Sequence, residues 1–284
     1  MIKTNRAVGT ALVMAALFLG YAAAAEETTD AQDQADEKTT LLKVAAEDYF
    51  PPFVYLDDSK HLTGFDVELL NAIGREEGFT CIYEIMDFKE IQPAVMQGRF
   101  DIGASAFAVN YERKQLVEMT NHYLVTSLSI VVDDFLEGTV SRLEDLDGKN
   151  VCVESGTYSE TMAKARLKRA AVLTFNGSEA LNQAFNDGQC QLLINEKLQN
   201  QYSLQTGALQ HAVMMPDEFN SKQIAFIVPK NRPALLERIN RGLEKIKENG
   251  TYDQIFMRWF KVDLRAQPDS SGEGGSYSVL MPDS

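Results

Sequence analysis

Catalysis by a nucleophile, a proton shuttle or a metal ion needs suitable side chains at short range. This sequence keeps them apart. Its three histidines, His61, His122 and His211, stand singly, and no nucleophile–base pairing is legible around them. Its three cysteines, Cys81, Cys152 and Cys190, form no C-x-x-C motif and no Cys/His cluster, which argues against structural zinc. Cys152 and Cys190 each fall in an apolar, strand-like run and read as buried free thiols; a bridge between them is the alternative. Binding chemistry has better material. Arg113 carries a planar fork that stays charged when buried and can hold two carboxylate oxygens at once. Within the run Glu112-Arg113-Lys114 it is, on its face, a surface arginine. Glu196 closes the apolar run Leu192-Leu193-Ile194-Asn195, and Glu47 follows the run Leu41 to Ala46. Either alone is an ordinary solvated acid. The turn Ser155-Gly156-Thr157-Tyr158 opens a helix, and helix N-termini present free N–H groups to anions.

These residues need a scaffold, and the composition provides one. The chain has 284 residues, 45% hydrophobic and 24% charged, which is globular composition with enough apolar material for a core. That length fits two domains or one large one. With 27 Lys+Arg against 41 Asp+Glu the formal charge is −14, which argues against nucleic acid or anionic lipid as the main partner. Lys3 and Arg6 precede an uncharged stretch from Ala7 to Ala25 with Leu12, Val13, Met14, Leu17, Phe18 and Leu19 at its centre. This stretch ends in Ala23-x-Ala25. The pattern predicts a signal peptide (1–25) cleaved after Ala25, an uncleaved anchor being the alternative, and hence export to an oxidising compartment. Residues 26–40 read as a flexible acidic leader and 263–284 as a disordered tail.

Between them, strand-like runs (Leu41–Ala46, Asp101–Ser105, Leu128–Val132, Val151–Glu154, Val172–Phe175, Leu192–Asn195, Ile224–Val228) alternate with helical patterns. Phe65, Leu69, Leu70 and Ile73 fall at helical spacing; Ile91 and Val95 mark a short helix; Leu235–Ile246 and Tyr252–Phe260 are helical. The alternation predicts α/β architecture with mainly parallel sheets. Thr157 with Glu160, and Thr251 with Gln254, have capping-box spacing, and Ser178 after Asn176-Gly177 reads as a cap.

Several stretches together carry a resemblance. They are Tyr49-Phe50-Pro51-Pro52-Phe53 with Leu62-Thr63-Gly64-Phe65-Asp66-Val67-Glu68-Leu69; Asp87-Phe88, Gly98-Arg99-Phe100-Asp101-Ile102 and Tyr111-Glu112-Arg113-Lys114; and Leu146-Asp147-Gly148-Lys149-Asn150-Val151 with Ser155-Gly156-Thr157. The run from Asn249-Gly250-Thr251-Tyr252 to Trp259-Phe260 completes the set. In order and spacing the chain resembles the periplasmic amino-acid-binding proteins of ABC importers, solute-binding family 3, over residues 41–262. It is particularly similar to the glutamine-binding and histidine/lysine-arginine-ornithine-binding members. The resemblance implies an α/β, two-lobed periplasmic-binding-protein (type II, Venus flytrap) fold with two crossover strands. Lobe 1 would be 41–126 plus 226–262 and lobe 2 would be 130–222. It implies a small-molecule ligand, an amino acid, delivered by a monomer to an ABC permease, with no cofactor and no nucleic acid.

Carried over residue by residue, Arg113 would clamp the ligand carboxylate, with Thr157 or the Tyr158 backbone as a second hold. Glu196 and Glu47 would meet the ammonium from opposite lobes, with Asp48 as a spare. Phe50 and Phe88 would wall the side chain, and Ser105, Ala106 and Ala108 would line the floor beside Arg113. The chain also departs from the family pattern. Ala108 stands where relatives carry a hydroxyl, Asn110 replaces a Thr and Gln191 an Asp. Glu154 stands where the glutamine-binding relative has a basic residue. Glu47, Glu154 and Glu196 around one cleft would suit a cationic side chain. The competing readings are a dehydratase-like periplasmic enzyme on the same fold and a soluble sensor docking on a membrane receptor.

Overall fold

The computed structural model of the chain describes residues 40–140, 143–216 and 219–260. The expected signal peptide, the leader up to residue 39 and the tail lie outside the described residues. From the N-terminus the elements are β1 (Thr40–Ala46), β2 (Tyr49–Phe50), β3 (Val54–Leu56), β4 (Leu62–Thr63), α1 (Phe65–Glu77), β5 (Phe79–Ile85), α2 (Phe88–Met96), β6 (Ile102–Ala108), α3 (Tyr111–Leu116), β7 (Glu118–Met119) and β8 (Leu124–Asp133). They continue as β9 (Asn150–Glu154), α4 (Tyr158–Arg166), β10 (Ala171–Phe175), α5 (Ser178–Asn186), β11 (Leu192–Glu196), α6 (Lys197–Gln205), β12 (Ala212–Met214), β13 (Phe219–Val228), α7 (Pro233–Glu248) and α8 (Thr251–Phe260).

The main sheet follows the path β10-β9-β11-β8-β13-β6-β1-β5, with β12 beside β8 and β7 beside β13. It is mixed rather than mainly parallel, which corrects the expectation. Within each half the strands are parallel: β1 with β5 and β6, and β9 with β10 and β11. These pairs are linked by helical crossovers, as parallel pairing requires. The long strands β8 and β13 pair antiparallel with each other and with their neighbours. One carries the chain out of the first lobe and the other brings it back, so they run in opposite directions.

Each lobe is covered on both faces. In lobe 1, α1, α7 and α8 bury Phe65, Leu69, Ile73, Ile239, Leu243 and Phe260 in one core. On the other face α2 packs Ile91 and Val95 against Ala45, Phe107 and Ile227. In lobe 2, Met162 and Ala163 of α4 meet Val151, Leu192 and Ile194, while Leu181 and Phe185 of α5 meet Val131 and Leu193. Each fully buried Leu, Ile or Phe contributes about 1.5–3 kcal/mol relative to exposure. A strand covered on both faces reads as a continuous apolar run; β6 is buried at every position and runs on to Ala108, beyond the expected Ser105. The two lobes belong to one compact unit that begins at Thr40.

The helix starts only partly follow the expectation. Thr157 caps α4, its Oγ1 accepting from the Glu160 N–H at 3.2 Å, but Glu160 reaches back to the Gly156 N–H at 2.7 Å rather than to Thr157. Thr251 is not a cap: Asn249 Oδ1 accepts from the Thr251 N–H at 3.0 Å, one turn corner earlier than the spacing implied. Ser178 is the first helical residue after Gly177, and its hydroxyl turns away to donate to Glu154 Oε2 at 2.8 Å. Cys152 and Cys190 are joined by a disulfide with Cα atoms 5.8 Å apart, which corrects the free-thiol reading. The reason is register. Cys152 lies beside Leu193 in the parallel β9–β11 pair, so the entry to β11 passes alongside it. Cys81 is free.

Candidate functional site

In open α/β sheets the carboxyl ends of the strands are where ligands are met. Here four such ends converge from both lobes. Glu47 follows β1, Ala106 and Ala108 end β6, Glu154 ends β9 and Glu196 ends β11. They border a narrow cavity between the strand ends. All ten residues singled out in the sequence border it, together with Glu154, Ser159, Asn195 and Lys222.

Arg113 is buried near the start of α3, where Asn110 Oδ1 caps the helix by accepting from the Arg113 N–H at 2.7 Å. Its guanidinium is held on three sides. Nε donates to Gln92 Oε1 at 3.2 Å, Nη1 to the Ala108 carbonyl at 2.9 Å and Nη2 to the Gly156 carbonyl, in the other lobe, at 3.1 Å. A guanidinium has five N–H donors, so one remains on each Nη nitrogen. The cation also lies 5.5 Å from the Phe88 ring centre and 5.1 Å from that of Phe107, distances at which aromatic faces attract a cation. Burial pushes its pKa down to about 10, which leaves it charged at neutral pH. Phe88 stacks on Phe107 at 4.8 Å and Phe50 on Phe53 at 5.5 Å, so both expected walls are braced from behind.

Glu196 is buried, and both its oxygens have partners. The Thr126 hydroxyl donates to Oε1, and the Gln199 N–H donates to Oε2 at 2.9 Å, making Glu196 the cap of α6. Burial raises its pKa, while the Lys222 charge, Thr126 and the backbone N–H groups oppose the rise. Glu47 and Glu154, one from each lobe, are buried against each other. Burial pushes both pKa values up, and the negative charge of Glu154 drives Glu47 further. Ser178 and Lys222 hold Glu154 back, so a proton shared by the two resides on Glu47.

The floor has its own partners. Ser105 Oγ accepts from the Glu47 N–H at 3.0 Å, and the Ala106 N–H donates to buried Asp66 at 2.8 Å. Ala106 has φ +45°, a strained conformation for a residue with a Cβ, and it turns the backbone at the cavity floor. The Thr157 hydroxyl is committed to the cap and to the Glu154 carbonyl at 2.7 Å. Tyr158, half-buried, packs on the cores of both lobes. Gln191 does not border the cavity; its Oε1 accepts from the Asn150 N–H at 3.1 Å.

Sequence reasoning missed Lys222, Gln92 and Asn195. Lys222 comes from β13, in register with Thr126 of β8. No local signal marks it, because only the pairing of the two crossover strands aims it at the cavity. Among the described residues no group of His, Cys, Asp and Glu is arranged to hold a metal ion.

The chain resembles known proteins along most of its length. It is 27% identical over 255 residues to a probable histidine-binding protein of Campylobacter jejuni subsp. jejuni, covering 88% of this chain and 97% of that protein. Among solved structures, an ancestral arginine-binding protein bound to arginine is 30% identical, with a TM-score of 0.74, covering 78% of this chain and 98% of the other. The ancestral amino acid-binding protein AncCDT-1, a precursor of cyclohexadienyl dehydratase, is 28% identical, with a TM-score of 0.73 and coverage of 78% and 96%. The profile of the bacterial extracellular solute-binding proteins, family 3, matches residues 42–262. Two parallel-stranded lobes joined by β8 and β13, a cavity at their strand ends and a family match spanning nearly every described residue agree: this chain belongs to the bacterial extracellular solute-binding proteins of family 3.

Proposed function

We propose that the protein captures an amino acid between its two lobes outside the cytoplasm and delivers it to an ABC importer. The observation that carries this reading is Arg113, buried and immobilised in a cavity between lobes with two N–H groups to spare. Those two donors suit the paired oxygens of a carboxylate. Glu196, fixed by Thr126 and by its cap to α6, is the partner for an α-ammonium. Glu47 supports it from the other lobe, and Phe50 and Phe88 exclude water from the side chain. Ser105, Ala106, Ala108, Thr157 and Tyr158 complete the enclosure.

The lobes read as 41–126 plus 226–262 and as 130–222. Ligand would bind the first and be enclosed when the second closes, as hinge closure works only where the closed state binds better. The protein acts as a monomer, needs no cofactor and docks on a membrane permease. Export by a cleaved signal peptide accords with the buried disulfide, which belongs to an oxidising compartment. No helix among the described residues is long and apolar enough to cross a membrane.

The test is thermal unfolding of the purified protein, first unfolded and refolded to strip carried solute, against a panel of single amino acids. A ligand at about a thousand times its Kd adds about 4 kcal/mol, a rise of several degrees in Tm. Arg113→Ala should abolish that rise, because a buried carboxylate left without its partner costs about 3–5 kcal/mol. No rise with any amino acid would sink the reading. Prephenate and arogenate belong in the same panel; their turnover would establish a dehydratase instead.

A further inference from the structure

If Arg113 takes the ligand's carboxylate and Glu196 its ammonium, as proposed above, the ligand's side chain meets the remaining charged groups of the cavity, Glu47, Glu154 and Lys222. Lys222 enters from β13, and its ammonium acts through space on Glu196 and Glu154, with Arg113 opposing it. It forms no direct ion pair or hydrogen bond among the described residues. Glu154 is its complement. Oε2 accepts from Ser178 Oγ at 2.8 Å, Oε1 is buried without a donor, and the Glu154 carboxyl as a whole lies against that of Glu47. The cavity thus offers one cation without a direct ion pair, and one buried carboxylate oxygen whose carboxyl group shares a proton with Glu47.

A buried acceptor without a donor is costly, so a fitting ligand satisfies Glu154 Oε1; the half-buried Lys222 offers it an ammonium that no side chain among the described residues pairs directly. A guanidinium or ammonium side chain would satisfy Glu154 but meet the charge of Lys222. A carboxylate would satisfy Lys222 but meet Glu154. A carboxamide presents an acceptor oxygen and an NH2 donor, with no charge. We propose that Lys222 and Glu154 are the specificity residues of the cavity, and that together they select an α-amino acid whose side chain ends in a carboxamide. Its oxygen accepts from Lys222, and its NH2 donates to Glu154 Oε1, entering where Glu47 and Glu154 otherwise share a proton. This differs from the cationic side chain expected from the three glutamates alone, because Lys222 supplies the cation from within the protein.

The experiment is calorimetric titration of the stripped protein with L-glutamine, L-asparagine, L-glutamate and L-arginine. One of the two amides should bind at least about tenfold more tightly than glutamate and arginine. Lys222→Met should move the preference toward arginine, and Glu154→Gln should move it toward glutamate, each by about tenfold or more in the ratio of Kd values. If a variant does not fold, pH serves in its place on the unaltered protein. Burial lowers the Lys222 pKa to about 8. Raising the pH from about 7 to about 9 therefore removes its charge and should move the arginine-to-glutamine ratio as Lys222→Met does. The α-ammonium groups of the two ligands titrate alike and cancel in that ratio. The groups facing Lys222 are Glu196, Glu154 and Arg113, with Glu47 behind Glu154; release of the Glu47–Glu154 proton acts in the same direction. Arginine or glutamate binding as tightly as the amide, or ratios that neither substitution nor pH moves, would overturn the assignment while leaving amino-acid binding intact. Binding of no amino acid at all would overturn the amino-acid reading, and this inference with it.

Discussion

Arg113 is fixed in place before any ligand arrives. Gln92, the Ala108 carbonyl and the Gly156 carbonyl orient its guanidinium, and two aromatic rings flank it. Such preparation lowers the ordering cost of binding. Asp66 illustrates the opposite case, a single side chain whose burial makes the fold sensitive to pH. It is fully buried beneath the cavity floor, and burial raises its pKa from 3.8 to about 7. Between those values the folded protein holds a proton that the unfolded chain releases. Stability therefore falls as pH rises through that window, by at most about 4 kcal/mol at about 1.4 kcal/mol per unit. Urea unfolding of the ligand-free protein should give a higher stability at about pH 5 than at about pH 7.5. Asp66→Asn, which keeps an acceptor for the Ala106 N–H, should reduce that difference, the remainder coming from the buried Glu47, Glu154 and Glu196, whose pKa values are raised in the same direction. An equally steep slope in the variant would show that other groups carry it. At this scale much of the cavity was legible: Arg113, Glu196 and Glu47 could be placed from motif context. Lys222 could not, because its neighbours in space come from strands distant in sequence.

At the scale of elements, the strand ends organise the site and the disulfide secures one of them. Cys152 lies within β9, two residues before Glu154, and its bridge closes a sequence separation of 38 residues. Loop-closure entropy for that span amounts to about 4 kcal/mol. Cys152→Ala with Cys190→Ala should lower stability by about 2–4 kcal/mol in urea unfolding. A reductant should lower the unaltered protein to the same level; no difference between oxidised and reduced protein would contradict the bridge. The helices were legible where their faces are amphipathic, as in α1, α7 and α8, and the strands where they are continuously apolar, as in β6. β5 escaped because only Phe79 of Phe79–Ile85 is buried, the others being half-buried or exposed, and it has no long apolar run. The sheet's mixed character escaped because strand direction is set by connections between lobes rather than by any local composition.

For the whole molecule, function depends on how readily the lobes close, and contacts across the cleft measure that. Nη2 of Arg113 reaches the Gly156 carbonyl, and Lys89 Nζ donates to Asn176 Oδ1 at 2.9 Å. Gly156 packs directly on α2. A Cβ there would lie 3.0 Å from Lys89 Cβ and 3.1 Å from Lys89 Cα, and its φ of +79° disfavours other residues. Gly156→Val should therefore weaken ligand binding by about tenfold or more, through backbone strain and a cleft held ajar. Small-angle scattering at saturating ligand should then show a larger radius of gyration than the unaltered protein. Unchanged affinity would mean that the lobes close without this contact. The α/β class and the order of most strands and helices follow from the chain read alone, since periodicity, caps and motif spacing are properties of neighbours in sequence; the principal cavity residues were named only by way of the family resemblance. The disulfide, the pairing of Glu47 with Glu154, the diversion of Ser178 from its cap and the arrival of Lys222 in the cavity required the folded molecule. Each depends on which strands lie side by side and in what register, and those long-range pairings leave no mark on the local pattern.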